Sequence, residues 1–319
     1  MNNIDIQKQK RMNSAVYFFI ALIAVYEAAT IIIYILAKNK ILLGLDVKAN
    51  ILISQSLIFV PTVVYLCISK RNVFDLIRFK KTHPLMLVLV PIIALAIIPL
   101  TTVINALSML FVDNQISGLS NSLVSNNSYG IALLFMAVLP AVVEETAYRG
   151  VILGNFNEGN QLTAVIMSGV LFGIMHMNLN QMAYAIVLGI IFAFLLEATG
   201  SILSTMLAHF CINGVSVSLS YIVNKIPLLA SQTEETELTK QVILQTVSVY
   251  LPLAAIGTLI AAALIYLLAI LNKRKDYFIG LFRKKETGLE DKPVRIITPA
   301  LVITMVVCIV ICVVEEFVL

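Results

Sequence analysis

Apolar residues in this 319-residue sequence come in long unbroken blocks, and that arrangement excludes most folds. A helix in a water-soluble domain is apolar along one stripe only; one that is apolar all round must be buried on every side or surrounded by lipid. Nine such blocks can be drawn, at 15–37, 51–69, 85–111, 130–153, 161–176, 180–197, 202–222, 246–271 and 296–316. Most approach the run of about 20 residues that a hydrocarbon core of about 30 Å requires. Composition agrees, with 60% apolar and 13% charged residues against roughly 45–50% and 25% in soluble domains. The expected fold is all-α: a polytopic bundle of about nine transmembrane helices.

Charge distribution orients the bundle. With the N-terminus inside, the inner loops carry 17 Lys and Arg residues, among them Lys8, Lys10, Arg11, Arg78, Arg149 and the cluster Lys273 to Arg295. The outer loops carry five: Lys38, Lys40, Lys48, Lys225 and Lys240. By the positive-inside bias this predicts a cytoplasmic N-terminus and, for a bacterial chain, residence in the plasma membrane. The first block is longer than a signal-peptide core of 7–15 residues and reads as an uncleaved anchor. Cys67, Cys211, Cys308 and Cys312 all fall in apolar segments, so no disulfide framework is expected. The basic residues sit at membrane edges, where they fix topology or meet anionic headgroups. They are no nucleic-acid signal, and the bilayer itself is the expected partner.

Ionisable residues inside such blocks cost about 2.5–3.5 kcal/mol each at the centre of a span and so mark function. The fourth block holds Glu144, Glu145 and Arg149 in EETAYRG. Glu145 and Arg149 stand four apart and face each other on a helix, whereas Glu144 points about 100° away and is free for another partner. Two adjacent carboxylates with one cation are not fully neutralised, a setting suited to general acid–base chemistry. Two of the chain's three histidines also lie in apolar blocks: His176 in LFGIMHMN and His209 in MLAHFCINGV. Asn213 follows His209 by one turn and shares its face. Gly169 and Gly173 leave one side of the fifth block smooth for close helix approach.

These residues resemble the three signature motifs of the CPBP family, the type II CAAX prenyl endopeptidases and their bacteriocin-processing and immunity relatives. The matching positions are Glu144-Glu145-x-x-x-Arg149, Phe172-x-x-x-His176 and His209-x-x-x-Asn213, within roughly 130–224. The resemblance implies an intramembrane endopeptidase acting on a membrane-embedded or lipidated peptide. Glu144 would activate water with help from His176, and His209 and Asn213 would stabilise the oxyanion. Arg149 would hold Glu145 in place, with Phe172 in support. The chain then divides into 1–129, N-terminal helices; 130–224, the catalytic membrane domain; and 225–319, an outer acidic loop, two further helices and a basic loop.

Metal use is open at this stage. Glu144, His176 and His209 can supply three zinc ligands with a fourth position for water, but no HExxH helix is present. The favoured chemistry needs no cofactor. A scaffold or immunity factor that sequesters a partner without cutting it is the alternative, and the polar residues would then serve as ion-pair locks between helices. A proton-coupled transporter would use similar residues, but Pro91, Pro99 and Pro140 have no counterparts in a second half. Glu27 and Glu197 read as packing or interfacial carboxylates, Glu315 and Glu316 as charge at the outer surface, and His83 as solvated. One geometric conflict stands: counted at about 1.5 Å per residue, Glu144 and His209 fall at similar depth, while His176 falls nearer the outer surface.

Overall fold

The computed structural model describes residues 3–41, 44–226, 239–283 and 295–317. Every regular element among them is helical: α1 (Asn3–Lys38), α2 (Val47–Ile68), α3 (Val73–Leu76), α4 (Met86–Ser108), α5 (Gln115–Asn126), α6 (Tyr129–Phe156), α7 (Gln161–Ile174), α8 (Leu179–Thr199), α9 (Ile202–Lys225), α10 (Lys240–Leu271), α11 (Lys275–Gly280) and α12 (Pro299–Phe317). The acidic loop residues Glu234, Glu235 and Glu237, and Lys284, Lys285 and Lys292 of the basic cluster, lie outside the described residues.

Eight of these helices are long and apolar enough to cross a bilayer, one fewer than the nine expected. Their outward faces remain apolar, as Val88, Leu259 and Ile303 show at more than half exposure. Surfaces of that kind belong against lipid. The missing span is 161–176. Its helix, α7, has 14 residues and reaches about 21 Å, short of the hydrocarbon thickness. The chain then turns back through 175–178 into α8, and Met175 and Met177 in that turn are buried. Met177 adopts a positive φ of 46°, and the Asn178 side chain accepts from the Gln181 backbone N–H to start α8. Irregular backbone at membrane depth is tolerated where protein covers it. The depth conflict over His176 is removed by the packing of its ring on Phe172, which also packs on His209. His176 sits in a covered turn at the tip of the α7–α8 hairpin.

Glycine makes that hairpin tight. A Cβ on Gly169 would come within 2.5 Å of the Ile190 backbone nitrogen, and one on Gly173 within 2.8 Å of the Ile186 backbone nitrogen. Neither neighbour is a flexible side chain that can swing aside. Gly169→Ala is therefore expected to lower unfolding stability by about 1–3 kcal/mol, measured by thermal unfolding in detergent micelles. Around this hairpin, α1 and α2 cover α6, α12 packs on α1 and α7, and α4 pairs with α10 while α9 crosses α4 and α6.

At the end carrying the basic loops, Glu197 closes α8. It is fully buried and accepts from Arg78 at 2.8 Å, Asn157 at 2.9 Å and the Tyr277 hydroxyl at 2.7 Å. Arg274 donates to its backbone carbonyl at 2.8 Å. Glu197 is thus the packing carboxylate expected, and its partners correct the reading of the basic loops. Arg78 and Arg274 turn inward to it rather than towards headgroups. Arg149, counted among the inner loop charges, is wholly buried in the bundle.

Candidate active site

The site grows from an irregularity in α6. Proline at 140 has no N–H to give the Met136 carbonyl, and its ring would crowd that carbonyl in a regular α-helix. The helix answers by widening: Leu134–Val138 forms a π turn in which the Leu139 N–H reaches back to Leu134. A second π turn spans Thr146–Ile152. Such turns gather at functional positions because each re-aims the side chains beyond it. The short α segment between them, Leu139–Glu145, carries both glutamates. The carbonyl of Met136 is not left bare, since Asn213 of α9 donates its side-chain amide to it at 3.0 Å.

Glu145 and Glu144 have different fates. Glu145 is fully buried and its Oε1 accepts from Arg149 Nη1 at 3.1 Å and from His209 Nδ1 at 2.9 Å. Thr205 lies beside the same carboxylate. Arg149 spends its other terminal nitrogen on the Gly189 carbonyl at 2.9 Å, and its guanidinium stacks 4.4 Å over the Phe172 ring. That cation is committed to holding α6, α7 and α8 together. Glu144, by contrast, touches no cationic Lys or Arg among the described residues. Its Oε1 accepts from Gln55 Nε2 at 2.9 Å, and its Oε2 stands 3.9 Å from His209 Nε2.

The histidines are oriented by their Nδ1 atoms. His209 Nδ1 donates to Glu145, which turns Nε2 towards Glu144. His176 Nδ1 lies 2.8 Å from the Phe172 carbonyl. A carbonyl only accepts, so this nitrogen carries the proton and the neutral ring offers a lone pair at Nε2. Phe172 joins the parts: its ring centroid is 5.0 Å from that of His176, 5.9 Å from that of His209 and 5.3 Å from that of Tyr148. His176 is also within electrostatic reach of Glu144.

Glu144, Glu145, Arg149, Phe172, His176 and His209 therefore lie close together, and Asn213, one turn beyond His209 on α9, is bonded to the Met136 carbonyl. Glu145, Arg149 and Phe172 form the buried frame of the site, although Glu145 Oε2 has no hydrogen-bond partner among the described residues; Glu144 Oε2 and His209 Nε2 face each other at 3.9 Å. Gln55 was missed. An amide inside the apolar stretch ILISQSLIFV was a signal of the same kind as the glutamates.

The zinc set Glu144, His176 and His209 has one measurable pair. Two ligands about 2.0–2.1 Å from a tetrahedral zinc stand about 3.3 Å apart, and His209 Nε2 to Glu144 Oε2 exceeds that. Among the described residues no three His, Cys, Asp or Glu side chains are grouped as a metal site. In this arrangement the Glu144–His209 pair is wider than a zinc ion would hold it.

Residues 126–215 match the family model described as type II CAAX prenyl endopeptidase Rce1-like. No curated protein and no solved structure matches the chain. The matched stretch runs from the end of α5 into α9 and contains every motif residue named above, so that over residues 126–215 this integral membrane chain is similar to the type II CAAX prenyl endopeptidases.

Proposed function

We propose that this chain hydrolyses a peptide bond of a membrane-associated or lipidated peptide, using water activated by Glu144 and no obligatory metal. One observation carries the reading: of two adjacent buried carboxylates, Glu145 accepts from both Arg149 and His209 at Oε1, whereas Glu144 faces an imidazole nitrogen and has no Lys or Arg partner among the described residues. The division of labour follows. Glu144 takes a proton from water as its oxygen bonds to the scissile carbonyl carbon, and His176 Nε2 helps position that water. The electron pair displaced from the C=O bond settles on oxygen, where His209 Nε2–H and the second amide hydrogen of Asn213 donate to it. Collapse of this intermediate breaks the C–N bond, and the proton on Glu144 passes to the departing amine.

The pairing of Glu145 with Arg149 offsets part of the cost of burying that carboxylate, and leaves Glu144 beside the uncharged amide of Gln55. Preorganised donors in a water-poor site contribute several kcal/mol when aimed at developing charge. The excess of basic residues on the loops at the Glu197 end supports a cytoplasmic N-terminus and a bacterial plasma-membrane setting.

Purified protein in liposomes, supplied with a farnesylated CAAX peptide and with an apolar helical peptide, tests the proposal. Wild type is expected to cut at least one, and Glu144→Ala neither. Wild type leaving both intact, or equal cleavage by both proteins, would overturn it in favour of a non-cutting scaffold.

A further inference from the structure

Gln55 lies on α2, outside the segment matched to the peptidase family. Its side chain is 8% exposed and reaches across to α6, where Nε2 donates to Glu144 Oε1 at 2.9 Å. The Oε1 of the same amide is buried and has no hydrogen-bond partner among the described residues. An amide is planar, so anchoring its nitrogen on Glu144 also fixes the direction of its oxygen lone pairs. A buried acceptor left without a donor is destabilising, and a polar residue at membrane depth calls for a function. Joining α2 to α6 needs only the nitrogen; the oxygen beside the carboxylate remains to be explained.

We propose that Gln55 is a further catalytic residue: its N–H holds Glu144 in one rotamer, and its carbonyl accepts a hydrogen of the attacking water. This inference rests on Glu144 being the base. A water molecule has two hydrogens to place. If one points to Glu144 and the other to Gln55 Oε1, a lone pair is left facing the scissile carbonyl, the alignment that attack requires. Only the first hydrogen leaves, to Glu144; Gln55 gains and loses no proton.

The test compares wild type, Gln55→Met and Glu144→Gln in liposomes with a fluorogenic farnesylated CAAX peptide, alongside unfolding midpoints and infrared spectra. Methionine keeps the length of glutamine and removes both polar atoms. Gln55→Met is expected to lower kcat about 10- to 100-fold, with KM changed less than twofold and the unfolding midpoint retained. The carboxylate stretching band assigned by its loss in Glu144→Gln should shift in Gln55→Met, since that carboxylate loses a donor. Unchanged kcat in Gln55→Met beside an inactive Glu144→Gln would overturn this inference and leave the peptidase reading standing. A fall in kcat that only follows a lowered midpoint, with the infrared band unmoved, would reduce Gln55 to a helix tie and overturn it as well. Glu144→Gln cutting like wild type would instead remove the base itself, and both readings with it. Gln55→Leu serves the same comparison if Gln55→Met does not accumulate.

Discussion

Glu144→Gln is expected to lower kcat by about 10⁴-fold, the upper end of what a positioned general base contributes, while KM and the unfolding midpoint stay near wild type. That fall corresponds to about 5.4 kcal/mol of barrier. The substitution is nearly isosteric. Its amide oxygen can still accept from Gln55 Nε2, now 2.9 Å from the Glu144 oxygen, so α2 and α6 remain joined. What is lost is the ability to take a proton. Activity of liposome-reconstituted protein on the farnesylated peptide reads the effect, and circular dichroism melts read the control. Glu145→Gln should behave differently. It weakens two buried contacts, to Arg149 and to His209, so activity and stability are expected to fall together. Similar kinetic and stability profiles for the two variants would contradict the division of labour drawn between these neighbours.

Much of this site was legible because it rests on local helical geometry. The spacing of Glu145 and Arg149 made them a pair, and the same geometry turned Glu144 away from Arg149. The one-turn separation of His209 and Asn213 put both on one face of α9. Contacts set by helix–helix packing were not legible. Nothing in the fourth block says that α2 will lie against it with Gln55 at the height of Glu144. Asn213 shows the same limit: its donation to Met136 depends on a proline four residues further along another helix, which empties that carbonyl. Pro140 was visible as a breaker, but the π turn that absorbs it, and the side chain that completes it, are settled by tertiary packing. The ninth span failed for a related reason. Hydropathy measures how apolar a segment is, and α7 is apolar enough, but its covered turn comes after 14 residues. Its close fit to α8 through Gly169 and Gly173 keeps that turn inside the bundle.

Arg149→Met is expected to cost about 3–5 kcal/mol of stability, the range seen when one member of a buried ion pair is removed. Arg149 has no exposed surface, and neither does its partner Glu145. Without the guanidinium, Glu145 keeps only His209 as a hydrogen-bond donor to its Oε1, while Glu144 stands 3.9 Å from the same imidazole. Two carboxylates would then face one imidazole in a low-dielectric interior, with no guanidinium beside them. The Gly189 carbonyl and the face of Phe172 lose their partner as well, which loosens α8 and α7 from α6. Arg149→Lys should fall between, because an ammonium keeps the charge but lacks the planar fork that meets Glu145 and Gly189 at once. The double variant Glu145→Gln/Arg149→Met separates charge from packing. It removes both charges of the pair, and the glutamine carbonyl can still accept from His209 Nδ1. Most of the lost stability should return, because an uncompensated buried charge is what makes the single change severe. Unfolding free energies from steric trapping in bicelles would measure this. If the double variant is as unstable as Arg149→Met, the guanidinium acts through its packing on Phe172 and its bond to Gly189, and charge neutrality is not what holds the frame of the site.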